Sequence, residues 1–307
     1  MPMESVAARA RRVASGIESG PPWGLDMSKP HLEFDEIGYW SEMKLDIVKM
    51  YAKAYSTILA RQPGLSHYYI DGFAGAGFHL SRTTGTLVAG SPLNALSIDP
   101  PFKHHLLIDL DGSRIEQLRQ VVGDRTDVTL REGDCNAVLL RDVFPNIRYE
   151  QYRRALCLLD PYGLQLDWAV ISAAGQLRTI DLLLNFPIMD INRNALWSDA
   201  ERVPPSHVAR MTAFWGDTSW QQIAYRKSAQ ENLFGEPSVQ KVSNEEVVGA
   251  FRERLQEVAG FQYVSKPIPM RNSTGAVVYY LIFASQYAVA RNIADHIFAT
   301  YGQRGVA

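Results

Sequence analysis

A chain of 307 residues with 46% hydrophobic and 21% charged residues is long enough for one large α/β domain carrying an insertion, or for two ordinary domains, and it buries a substantial core. A formal net charge of −2 and a pI near 6.4 argue against a protein that grips nucleic acid over its whole surface, leaving room for a local basic patch. With only Cys135 and Cys157, no run of about 18 apolar residues and no apolar leader core, the sequence argues against disulfide scaffolds, cluster enzymes and membrane spans, and predicts a cytoplasmic protein.

Residues 1–33 carry Arg9, Arg11 and Arg12 and then a run of turn formers, and read as an N-terminal arm preceding a domain over 34–307. Over 41–62, Leu45, Val48, Tyr51, Tyr55 and Leu59 recur near helical spacing before Pro63-Gly64, which predicts the first helix. A strand is expected over 67–71, running into a glycine loop, then a loop over 79–90 and a helix over 91–98. Strands follow at 104–109, 127–131, 155–160 and 180–186, alternating with helices at 112–122, 136–144 and 165–177. Such βα units predict a Rossmann-like, mainly parallel sheet with helices on both faces and its ligands at the carboxyl ends of the strands.

The rhythm breaks between 188 and 242, a segment containing Trp197, Pro204-Pro205, Trp215 and Trp220 that reads as an inserted lid or substrate platform. The tryptophans fit a packing cluster better than a stacking surface, although Trp197 is a candidate to face substrate. A helix over 244–259 precedes strands at 261–268 and 276–284, joined through 271–275, and a last helix over 287–301 closes the chain. That terminal hairpin predicts an antiparallel edge on the parallel sheet.

Four strand ends carry the chemistry. Asp71-Gly72-Phe73-Ala74-Gly75-Ala76-Gly77 places an acid before small residues that let backbone approach a ligand closely. The acid would repel a pyrophosphate and favours a cationic ligand, which points to S-adenosylmethionine over a dinucleotide. Asp109, ending the next strand, suits a ribose diol, and Asp111 is placed to cap the following helix. In Glu132-Gly133-Asp134-Cys135-Asn136, Asp134 suits an adenine amine, Cys135 is a small filler beside the ring, and Asn136 is placed to cap a helix. At the fourth end, Asp160 and the Pro161 carbonyl can accept N–H bonds from a methyl acceptor while Tyr162 stacks on it. Asn185-Phe186-Pro187 ends the neighbouring strand and should line the pocket mouth. His104 and His105, at a strand entry, suit structural roles; His79 and Arg82 are better placed to touch ligand.

The order of Lys44, the 69–77 glycine segment, Gly90-Ser91-Pro92, Leu158-Leu159-Asp160-Pro161-Tyr162-Gly163, Leu184-Asn185-Phe186-Pro187 and Tyr280-Leu281-Ile282-Phe283 resembles the three-Cys-motif partner (TcmP) family over residues 34–301. The resemblance implies a class I methyltransferase fold, a cofactor site that includes Ser91, and a separate three-Cys-motif protein as partner. Asp-Pro-Tyr-Gly is also similar to the Asp-Pro-Pro-Tyr signature of amino-methylating nucleic-acid enzymes, without its second proline. The acceptor stays open between a nucleobase-like small molecule and nucleic acid. Two other readings stay open beside methyl transfer: a catalytically idle partner subunit, and an NAD-dependent oxidoreductase, which Asp71 and the terminal hairpin disfavour.

Overall fold

The computed structural model describes residues 34–231 and 237–302, so the arm assigned to 1–33 lies outside the described residues. The chain is a mixed α/β protein with a central, mostly parallel sheet and helices around it. It divides into two compact units, one formed by the described residues up to Leu158 and from His296 onward, the other by Leu159–Asp295.

In the first unit, β1 (Asp35–Ile37) leads into helix α1 (Tyr39–Leu59), which starts after an extended Gly38 and buries Leu45, Ile47, Val48, Tyr51 and Tyr55 along one side. The parallel strands are β2 (Ser66–Asp71), β5 (His104–Asp109), β6 (Val128–Glu132) and β7 (Arg153–Leu159). Strand β2 lies between β5 and β7, and β5 also pairs with β6. The register sets Asp71 opposite Leu107 and Leu158, and Asp109 opposite Glu132, so the acids gather at one edge of this sheet. Helix α3 (Gly112–Val122) follows β5 and is capped by Asp111, whose carboxylate accepts from the Ser113 amide.

Two local expectations fail here. The stretch read as a loop over 79–90 contains a hairpin, β3 (Phe78–Ser81) and β4 (Leu87–Ala89), with β1 pairing parallel to β3. Its polar turn hid it: the Ser81 hydroxyl accepts from the amides of Thr83 and Thr84, and Gly85 takes a left-handed φ of 69°. The helix expected over 136–144 is α4 (Cys135–Val138), running on as a π turn (Leu139–Val143) and a 3₁₀ turn (Phe144–Asn146). Pro145 lacks the amide that would continue an α-helical ladder.

In the second unit, α5 (Trp168–Leu177) precedes β8 (Ile180–Phe186), which is buried at every position. The segment from 188 to 242 folds as α6 (Ile188–Asn194), α7 (Pro205–Trp215), α8 (Ser219–Ala224) and the antiparallel pair β9 (Tyr225–Glu231) and β10 (Pro237–Lys241). It is anchored by aromatic packing: Phe251 of α9 (Asn244–Glu257) stacks on Phe214 at 5.3 Å and touches Phe186 at 4.7 Å and Trp215 at 5.4 Å. Each such buried aromatic contributes about 1.5–3 kcal/mol. Trp215 and Trp220 are core residues.

The strand expected over 261–268 splits into β11 (Tyr263–Val264) and β12 (Ile268–Arg271), both antiparallel to β13 (Val277–Ser285), which is antiparallel to β8. Pro267 interrupts the ladder, while the Ser265 amide donates to the Phe283 carbonyl and its hydroxyl accepts from the Phe283 amide. Helix α10 (Ala288–Gly302) is the last element.

Candidate functional site

The glycine loop is tied to its neighbouring strand ends by backbone donors. Gly72 donates to the Leu158 carbonyl, Ala74 to the Ile108 carbonyl, and Gly75 to the Asp109 carboxylate at 2.8 Å. The other Asp109 oxygen accepts from the Asp111 amide at 2.9 Å, and the Asp109 carbonyl accepts from Gly133. Asp109 therefore clasps the loop that it was expected to share a ligand with. The left-handed conformation of Gly75, at a φ of 64°, favours glycine, and nothing lies within 4 Å of where a side chain would start. Gly77 is left-handed too, but a β-carbon there would meet Leu118 at 2.9 Å; its carbonyl accepts from Gly90, which leads into α2 (Ser91–Leu96) with Ser91 buried at its start.

Asp71 is fully buried and accepts from the Phe73 amide at 3.2 Å and the Tyr69 hydroxyl at 3.3 Å. Burial, reinforced by the Asp71 charge, pushes the Tyr69 phenol well above its ordinary pKa, so the hydroxyl stays a donor. Burial and then Asp71 likewise raise the Cys157 thiol, which stays protonated and unreactive. Cys135 is buried, and Phe73 is half-buried.

Asp134, not Asn136, caps α4: its carboxylate accepts from the Asn136 amide at 3.2 Å and the Asn136 side chain at 3.0 Å, while the residue itself stays exposed. Two neighbours were passed over in the sequence. Leu110 is 73% exposed between Asp109 and Asp111, an apolar surface at a strand end signalled only by its acidic neighbours. The Glu132 carboxylate packs against Gly112, where a β-carbon would meet it at 2.6 Å.

In the second unit, Asp160, Pro161 and Asn185 come together. The Asn185 side-chain amide donates to the Asp160 carboxylate at 2.8 Å and to the Pro161 carbonyl at 3.3 Å. Its own carbonyl oxygen is buried without a hydrogen-bond partner. Pro161 is buried and Tyr162 is 70% exposed. Gly163 donates to Gln165 and admits Asp190, whose carboxylate would meet a β-carbon there at 2.5 Å; Asn194 donates to the other Asp190 oxygen. Asp190 is a site neighbour that the sequence reading passed over, since it sits three residues beyond the strand-end signal at Pro187. Phe186 points into the aromatic core, Pro187 is buried as the cap of α6, and the Trp197 indole donates to the Arg193 carbonyl at 2.7 Å.

The histidines at the entry of β5 have structural settings. His105 is 1% exposed and His104 bonds Thr129 at 2.8 Å; burial lowers the pKa of both. His79 lies on β3, and Arg82 pairs with Glu36 at 3.4 Å. Among the described residues no cluster of His, Cys, Asp and Glu could hold a metal ion, and no helix is long and apolar enough to cross a membrane.

No protein-family model and no curated protein matches this chain. Among solved structures, it is similar to a DUF519 protein from Legionella pneumophila at 11% identity, covering 85% of this chain and 93% of that one with a TM-score of 0.48. Trm1 from Pyrococcus horikoshii in complex with S-adenosyl-L-methionine matches at 12% identity over 81% of this chain and 56% of its own, with a TM-score of 0.42. A Listeria monocytogenes protein described as an S-adenosylmethionine-dependent methyltransferase matches at 12% identity, covering 77% of this chain and 98% of its own with a TM-score of 0.40.

Proposed function

We propose that this chain is an S-adenosylmethionine-dependent methyltransferase acting on an amine of a planar, nucleobase-like acceptor. One observation carries the reading: carboxylates end successive parallel strands at Asp71, Asp109 and Glu132, beside a left-handed Gly75 with open space in front of it. A ligand at that edge must tolerate or use negative charge, which suits a cation with a ribose diol and opposes a pyrophosphate.

The residues present fit the cofactor. Gly75 leaves room for close approach, Asp109 keeps acceptor capacity beyond its two amide bonds, Asp134 is exposed for an amine donor, and Leu110 offers an apolar face. Asp71 would act by its field from within the loop, with Gly72, Phe73, Ala74, Gly77, Ser91 and Cys135 forming the walls. When bound, the cofactor supplies an electrophilic methyl group on a sulfonium. The chain's own work is alignment. Asp160 would accept an N–H of the acceptor and stabilise the positive charge that develops on its nitrogen, Tyr162 would stack on its ring, and the Asn185 amide would hold Asp160 in place.

A catalytically idle scaffold is the second reading, and one observation favours it: Asn185 already engages both the Asp160 carboxylate and the Pro161 carbonyl. Membership of the TcmP family, with a three-Cys-motif protein as physiological partner, remains part of the proposal on the strength of the motif order alone. Calorimetric titration with S-adenosylmethionine, S-adenosylhomocysteine and NAD tests the cofactor, and transfer of a labelled methyl group to adenine- and cytosine-containing acceptors tests the activity. Binding of NAD in place of the sulfonium compound would overturn the reading.

A further inference from the structure

Strand β7 enters the sheet at Arg153, at the opposite end from Leu158, so by the usual rise of a strand its entry lies about 20 Å from the carboxyl edge. The chain reaches it through a 3₁₀ turn (Tyr149–Gln151) and a left-handed Tyr152 with φ 54° and ψ 36°. A left-handed non-glycine residue costs about 1–2 kcal/mol. The turn is nevertheless fixed, because the Tyr152 amide donates to the Tyr149 carbonyl and its own carbonyl accepts from Ser66 at 2.9 Å. The consequence is that two large rings face solvent, Tyr149 at 59% and Tyr152 at 66% exposure.

Three arginines, Arg148, Arg153 and Arg154, flank these tyrosines in the chain. Arg154 sits 4.2 Å over the Tyr149 ring and Arg153 lies 5.7 Å over Tyr68. Each arginine is oriented by a backbone carbonyl: Arg148 donates to Pro145, Arg153 to Asn146 and Arg154 to Arg153. Among the described residues none of the three pairs with a carboxylate, so their charge is uncompensated and most of their five N–H donors stay available. Against them stands a single acid in the stretch, Glu150, in a chain that is acidic overall.

Oriented guanidiniums without acids match phosphodiesters, and exposed rings beside them match the faces of unpaired bases. The alternation of oriented guanidiniums with flat exposed rings fits a partner that repeats phosphates and bases along one strand. We propose that Arg148, Tyr149, Tyr152, Arg153 and Arg154, with Tyr68 beneath Arg153, form a docking surface for single-stranded nucleic acid. This assignment stands independently of the methyltransferase reading.

The test is fluorescence anisotropy of a labelled oligothymidylate and a labelled oligouridylate against the full chain. Three phosphate contacts predict a slope of about −2 in log affinity against log salt on single strands. Joint Arg148→Gln, Arg153→Gln and Arg154→Gln should abolish that slope and weaken binding by about tenfold or more at low salt. The matching triple lysine variant should keep the slope, and equal thermal melting of all forms establishes that folding is intact. Tyr149→Ala should weaken binding without changing the slope. Absent binding by the wild type at low salt, or equal binding by the glutamine variant, overturns the proposal. So does a polyglutamate peptide that binds as tightly as the oligonucleotides, which would assign the surface to an acidic protein.

Discussion

The Asn185 side chain bridges two acceptors of the same loop, reaching the Asp160 carboxylate at 2.8 Å and the Pro161 carbonyl at 3.3 Å from the end of β8. Asn185→Leu keeps approximate volume and removes both bonds. A hydrogen bond to a charged group contributes about 1.5–3 kcal/mol. If Asn185 positions Asp160, this substitution should lower kcat by about ten- to a hundredfold while cofactor affinity stays at the wild-type value. Equal loss of cofactor affinity would show that the bridge supports the fold at large.

Asp109 clasps the glycine loop and is the proposed ribose ligand, and two substitutions separate these roles. Asp109→Asn retains the shape and one carbonyl acceptor, so the Gly75 bond can persist while the charge is lost; Asp109→Ala removes both the clasp and the proposed ribose contact. Calorimetry with S-adenosylhomocysteine should show weaker binding in both variants and a lower melting temperature chiefly in the alanine form. Wild-type affinity in the alanine form would dismiss the ribose assignment.

The two left-handed glycines of the loop should respond differently to a methyl group. Gly75→Ala pays only the conformational cost, about 1–2 kcal/mol, because nothing lies within 4 Å of the new carbon. Gly77→Ala adds a clash with Leu118 at 2.9 Å and should be destabilised further in urea unfolding. For cofactor binding the expectation is that Gly75→Ala loses affinity beyond its small loss of stability, since the methyl enters the open space assigned to the ligand. Unaltered affinity would place the cofactor elsewhere.

Three histidines predict a pH response. Burial lowers the pKa of His67, His104 and His105, so each binds a proton less readily in the folded chain than when unfolded. Their stability contribution is fully present above the unfolded value near 6.5 and is lost as pH falls through the lower folded values. Calorimetry near pH 6 in buffers of differing ionisation enthalpy should therefore detect proton uptake on unfolding. Its absence at that pH would contradict the burial assigned to these rings.

Local signals fixed several elements closely and missed those that depend on distant pairing. Helix α3 and strand β8 match their expected bounds, because Asp111 caps one and Pro187 ends the other. The hairpin of β3 and β4 was invisible because its partner β1 lies some forty residues earlier and Thr83, Thr84 and Gly85 read as a loop. At the site, the strand-end acids were legible from their positions after apolar runs. Their orientation was not: nothing in the sequence distinguishes the buried Asp71 from the exposed Asp134, or reveals that Asp109 binds its own loop. The exposure of Tyr149 and Tyr152 beside Arg153 and Arg154 depends on the left-handed turn at Tyr152, which carries no glycine or asparagine signal.

The proposed methyl transfer turns on Asp160. Methyl transfer from a sulfonium is an in-line displacement, so it needs alignment of the attacking lone pair more than acid or base power. Positive charge grows on an attacking amine nitrogen as its lone pair is donated, and a carboxylate accepting its N–H stabilises that charge more in the transition state than in the ground state. Asn185 donates to one Asp160 oxygen and so fixes the orientation of the carboxylate. Asp160→Asn keeps the shape but replaces one acceptor oxygen by a donor that faces either Asn185 or the acceptor amine with the wrong polarity. Turnover should therefore fall by orders of magnitude with cofactor affinity nearly unchanged, and Asp160→Ala should be at least as severe. Single-turnover transfer of a labelled methyl group checks this directly: wild-type rates in both variants would make Asp160 a structural residue. No transfer in any form, wild type included, to a full panel of amine acceptors would favour the idle scaffold.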